Sequence, residues 1–169
     1  MLGSWPPSDF PLLDANNHAV TSKSTRRYNC IAWAAGDTAR KWWPDNLMIG
    51  YWPTGVPREE TMDAFVQAYG TLGYAVCLDP TFEQDTEKVA LFGVREAGVV
   101  LPTHAAIQLE SGQWSSKLGD FEDIRHDPVD VVTGPLYGEV VYFLARPRPP
   151  IPHPANLLSD VLPDSSTNI

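Results

Sequence analysis

The apolar pattern of this chain changes its period near residue 74, and that change restricts the folds open to it. Before it, apolar residues recur at three- and four-residue spacing, as on one face of a helix. After it they alternate or run in short continuous blocks, as in strands. The spacing predicts a helix over 29–43, with Asn29 as N-cap, Ile31, Ala34 and Ala35 on one face, and Pro44 as the stop. A second helix is expected over 58–70, with acidic residues in its first turn, an apolar stripe of Met62, Phe65, Val66 and Tyr69, and Gly70 or Gly73 at its end. Strands are expected over 74–78, 87–94, 103–110, 114–119 and 138–146, with "SGQ" as a hairpin turn. Helices first and an antiparallel sheet after them make an α+β layout of about five strands.

The flanks read differently. Residues 1–24 are rich in Pro, Ser, Asn and Asp and read as an irregular arm, pinned to the core by Trp5, Phe10 and Leu13. Residues 147–169 are Pro-rich and read as an extended tail, in which "NLLSDVL" could dock as one turn. The length of 169 residues then leaves one folded domain, 25–146.

A net charge of −9 argues against nucleic acid or an anionic membrane surface as partner, because both need a basic face. The start of the chain lacks a basic segment followed by an apolar run, and no apolar stretch is long enough to span a bilayer. The expected location is the cytoplasm, or outside the cell by a route that needs no signal peptide.

Two cysteines, Cys30 and Cys77, do not make a disulfide framework. Cys77 lies in the apolar "YAVCL" and reads as structural. Cys30 directly follows the cap. A thiolate there meets unpaired backbone N–H groups and the positive end of the helix dipole, with Arg26 and Arg27 adding positive field. The same N–H groups could hold an oxyanion. Taken singly, a cysteine on the apolar face of a helix is more often core than nucleophile. A base strengthens the reading. His104 opens a strand and stands at a sheet rim; His126 is the second choice; His18 and His153, in the arm and the tail, are expected to face solvent. A cysteine at a helix start and a histidine at a strand start are how a thiol hydrolase sets its two groups across a cleft.

The stretches "YNCIAWAAGD…WWP" and "THAAIQL…GQWSSKLG" resemble the papain-like cysteine hydrolase superfamily, above all NlpC-type and CHAP-type peptidases and amidases. The resemblance runs from about Trp5 to Arg146 and extends to a narrower family of bacterial domains with that fold. It implies a papain-like fold in which the helix bearing Cys30 packs on the sheet, so that 25–146 is the catalytic domain. Cys30 is then the nucleophile and His104 the general base and acid, and the polar residue before the nucleophile, Asn29, helps the Cys30 N–H stabilise the oxyanion. The third member, usually His, Asn, Gln or Asp on the next strand, falls near Ser116, a departure from the pattern. Lys117 is an implausible partner for an imidazolium. Gln108, on the same strand face as His104, is another candidate, and Asp123 and His126 are more remote ones. Trp33, with Trp42, Trp43 and Trp52, would form an aromatic wall of the substrate groove, or else simply pack.

The expected function is a thiol hydrolase that cleaves an amide bond in a peptide or amide-linked conjugate, with peptidoglycan stem peptide as the substrate the resemblance suggests. A deamidase or acyl transferase would use the same pair. The alternatives are a papain-like binding module without catalysis and a secreted antibacterial effector with an inhibitor protein as partner. No cofactor or metal is expected: a Gly-rich phosphate loop is missing, and "FEDIRHDPVD" lacks the ligand spacing of a calcium loop and reads as a solvated acidic loop.

Overall fold

The structure, a computed structural model, describes residues 3–157. Its centre is a β-hairpin of two long strands, β3 (Thr86–Glu96) and β4 (Val99–Gln108). They are joined by Ala97 and Gly98, both at positive φ (49° and 79°), the two-residue turn whose twist matches that of the flanking strands. Around it lie β1 (His18–Val20), β2 (Ala75–Cys77), β5 (Trp114–Lys117), β6 (Asp123–His126) and β7 (Glu139–Pro147). The seven strands make one antiparallel sheet in the order β1-β6-β5-β4-β3-β7-β2.

Both faces of the sheet are covered, which explains why Val89–Phe92 form an unbroken buried run instead of alternating. One face packs against α1 (Cys30–Ala34) and α2 (Met62–Gly70); Ile31, Trp33, Phe65 and Tyr69 meet Val89, Leu91, Ala105, Ile107 and Leu144. The other face is covered by the N-terminal arm, a 3-10 turn (Val129–Val132) and the loop after it, which bring Trp5, Phe10, Val132 and Tyr137 onto Ala90, Phe92, Ala106 and Ile124.

The structure overturns the α+β papain-like expectation of a long helix on a five-stranded sheet. The molecule is mostly β, with seven strands and three short helices among the described residues. The helix expected over 29–43 stops at Ala34. Gly36, at φ +83°, donates its N–H to Trp33, and Asp37 donates to Ala32, the paired bonds of a Schellman ending. The Asp37 carboxylate then accepts from Ala39 N–H, Arg40 and the Trp42 indole, which holds 37–42 as a loop. The second helix starts at Met62, capped by Thr61, because Arg58 is drawn away to the carbonyls of Asp45 and Gly50.

Two strands lie where loops were expected. β1 belongs to the arm, and β6 to the acidic stretch read as a solvated loop; they pair with each other, and Asp123 and His126 are buried. The tail also differs. His153 is 4% exposed and leads into α3 (Pro154–Leu157), which docks on the helical face; the rest of "NLLSDVL" beyond residue 157 lies outside the described residues.

Candidate functional site

Asn29 builds the start of α1. Its Oδ1 accepts from the N–H groups of Ala32 and Trp42, both at 3.1 Å, and its Nδ2 donates to the Trp42 carbonyl at 2.8 Å. These bonds occupy the side chain that the sequence pointed to as an oxyanion group. Cys30 follows at the first helical position and is 7% exposed. Its Sγ lies against the backbone on either side of His104, 3.8 Å from the Thr103 carbonyl and facing the Ala105 N–H. Burial pushes the thiol up to about 11, outweighing the N–H groups of Ala105, Ile31 and Cys30 and the charge of Lys117, which pull it down. The thiol is therefore protonated at neutral pH, contrary to what a helix start alone predicts. With five residues the helix carries too few aligned dipoles to offset desolvation. Arg26 and Arg27 are exposed; Arg26 pairs with Asp120 at 3.4 Å.

His104 is fully buried on β4, opposite Phe92 in the register. Its Nε2 meets Ser116 Oγ at 2.9 Å, and the same Oγ meets His126 Nε2 at 2.8 Å. His126 Nδ1 lies 3.0 Å from the Pro128 carbonyl, an acceptor only, so Nδ1 carries the proton. Burial keeps His126 neutral, lowering it to about 4, so its Nε2 is an acceptor and takes the Ser116 hydroxyl proton. Ser116 Oγ has then spent its one proton and accepts from His104 Nε2–H. His104, also held neutral by burial, is left with a bare Nδ1 that has no hydrogen-bond partner. The chain from Pro128 to His104 thus fixes a single tautomer. No hydrogen bond joins His104 to Cys30 in this state.

The sequence singled out Ser116 and His126 separately; the β4–β5–β6 register brings them together. Gln108 is not part of the cluster. It donates to the Pro80 carbonyl at 2.9 Å. Trp33 does not line a groove: it is buried, donates its indole N–H to Ser115 Oγ and stacks on Tyr28. Trp42 and Trp52 are core as well, and Trp43 lines a groove of about 590 Å³ together with Asn29, Leu47 and Ile49. A cavity of about 650 Å³ at Gly93 and Gly138 has neither cysteine nor histidine in its lining. His18 is half-buried with Nδ1 at 2.6 Å from the Asp14 carbonyl.

Of two further neighbours, the sequence pointed away from Lys117 and gave little notice of Tyr137. Lys117 is buried, donates to the Phe121 carbonyl and lies over the Tyr28 ring. Tyr137 stacks on His104, ring centres 4.0 Å apart and planes 7° from parallel. Its only sequence signal is the flanking pair Gly134 and Gly138, which form an isolated bridge; a Cβ on Gly138 would lie 2.0 Å from the Gly93 carbonyl. Among the described residues no group of three or more His, Cys, Asp or Glu could hold a metal, and no helix is long and apolar enough to cross a membrane.

The family model for a domain of unknown function, DUF7689, matches residues 19–145. No curated protein and no solved structure matches the chain.

Proposed function

The chain belongs to the DUF7689 family, and we propose that it is a thiol hydrolase acting on an amide bond, with Cys30 as nucleophile and His104 as base. The reading rests on one observation: the bonds of Ser116, His126 and Pro128 hold His104 in the tautomer whose Nδ1 is free to take a proton. The thiol that packs against Thr103 and Ala105 is the proton source. Because both groups are neutral at rest, proton transfer accompanies attack instead of preceding it.

Cys30 Sγ bonds to the carbonyl carbon as its proton passes to His104 Nδ1, and the carbonyl π electrons move to oxygen. Collapse of the adduct expels the amine, which takes the proton from Nδ1 and leaves a thioester. Water, deprotonated by His104, releases the acid and restores the thiol. Ser116 keeps the imidazole oriented throughout. The catalytic hydrogen bond from sulfur to Nδ1 forms on substrate binding, as such bonds often do. The groove lined by Asn29 and Trp43 would receive the peptide or amide-linked conjugate, peptidoglycan stem peptide among them. A deamidase or acyl transferase would differ only in the leaving group or acceptor.

A second reading, a binding module without catalysis, is favoured by the deep burial of both groups. One experiment separates the two. In a Cys77→Ser background, the rate of Cys30 alkylation by iodoacetamide is followed from pH 5 to 10, with and without His104→Ala. A hydrolase gives a rate that levels off near neutrality and loses that plateau without His104. A rate that climbs about tenfold per pH unit in both proteins, as for an isolated thiol of high pKa, sinks the hydrolase reading.

A further inference from the structure

Among the described residues, two of the buried side-chain polar atoms without a partner belong to one stacked pair of rings: His104 Nδ1 and the Tyr137 hydroxyl. The first is an acceptor by the tautomer argument above. The second is a donor. We infer that the Tyr137 hydroxyl is the hydrogen-bond donor that receives the carbonyl oxygen of the bond Cys30 attacks, an inference that rests on the hydrolase reading.

Tyr137 is tied to both members of the pair. Its ring covers His104, and its carbonyl accepts from the Thr103 hydroxyl at 2.6 Å. Thr103 is the residue whose own carbonyl touches Cys30 Sγ. Its position is rigid. The bridge between Gly134 and Gly138 closes the loop that carries it, with backbone bonds of 3.2 and 2.8 Å, and Phe10 packs on the ring at 5.2 Å. Tyr137 is 5% exposed, so water does not readily replace a missing partner.

A buried phenol without an acceptor is a standing cost, removed when a bound group accepts from it. Asn29 cannot fill this role, because its amide is spent on Ala32 and Trp42. An amide under attack presents what the pair lacks. Its oxygen, gaining charge as sulfur adds, accepts from Tyr137 O–H, while the thiol proton goes to His104 Nδ1. The donor is fixed in advance by stacking and by the Thr103 bond, which is the arrangement that stabilises developing charge most.

The test compares two reagents on Cys30 in a Cys77→Ser background. Iodoacetamide alkylates sulfur with loss of iodide and forms no oxyanion. p-Nitrophenyl acetate acylates sulfur through one; the thiol proton passes by way of His104 to the departing p-nitrophenolate. Tyr137→Phe keeps the ring stack and removes only the hydroxyl. The expected result is alkylation within about twofold of the parent and acylation slower by about 100-fold. Tyr137→Leu, which removes the stack, is expected to slow both reactions. Acylation by Tyr137→Phe at the parent rate, in a protein whose alkylation still depends on His104, overturns the donor role and leaves the hydrolase reading standing. Equal losses with both reagents for Tyr137→Phe also overturn it, and reduce Tyr137 to a positioning residue. Alkylation of the parent that is indifferent to His104 overturns the hydrolase reading, and the inference with it.

Discussion

His153 donates its Nε2–H to the carbonyl of Trp33 at 2.6 Å and accepts at Nδ1 from the N–H of Ala155 at 3.0 Å. Only the neutral ring can do both. The bond joins the segment after β7 to the last turn of α1, where the ring also meets the Trp33 indole edge-on.

His153→Ala removes both bonds and the edge contact. The loss of stability is expected to be about 1–3 kcal/mol, read from urea midpoints. Limited proteolysis near Leu157 should become faster in the same variant, since only the packing of Ala155 and the bond from Glu110 N–H to Asn156 Oδ1 then hold this segment to the rest of the fold. An unchanged midpoint and cleavage rate would show that the tether is not energetically significant.

Three buried histidines set the acid limit. Burial lowers His104, His126 and His153 below the ordinary histidine value, His126 to about 4. As pH falls below about 6.5 the unfolded chain takes up protons that the folded chain refuses, so stability falls, and continues to fall until the folded histidines titrate. Asp123, raised by burial, works in the opposite direction at the lower end of this range. His126 alone accounts for about 3 kcal/mol between pH 7 and 4. Unfolding free energies at pH 8, 6, 5 and 4 should decline in the wild type, and His126→Gln should flatten the decline by about one proton. A level profile refutes the assignment.

Asn29→Ala removes the cap of α1 and the clasp on Trp42 in one step. The three bonds involved predict a loss of about 2 kcal/mol. Asn29→Asp keeps both acceptor bonds but loses the donor to the Trp42 carbonyl. It should sit about midway between the two proteins in melting temperature.

Glu87 is almost fully buried on β3 and accepts from Arg146 at 2.8 Å and from the Tyr74 hydroxyl at 2.6 Å. Arg146 also donates to the Leu72 carbonyl, so the cluster ties β3 and β7 to the end of α2. Glu87→Ala leaves a half-buried guanidinium without its counter-charge and is expected to cost about 3 kcal/mol or more. Replacing both residues with methionine should cost less than the sum of the single changes, because neither charge is then stranded. Additive losses would show that the pair is not coupled.

The sequence alone determined the features whose causes are local. Asn29 caps because its side chain reaches N–H groups within one turn; α2 follows from its apolar stripe; the long strands follow from β-rich runs bounded by turns. It also placed His104 on a strand and Ser116 on the next, because both sit in plain hairpin signals. The end of α1 was written locally too, in Gly36, but an apolar pattern that continues past the glycine concealed it. Tertiary structure alone decided the rest. β1 and β6 are short, carry little periodicity and exist because they pair with each other across about a hundred residues of chain. His126 joins Ser116 only through that register. The Cys30 thiol is raised, not lowered, because its charge state is set by how much of the fold closes over it, and burial is a sum over residues that no neighbouring stretch of sequence contains.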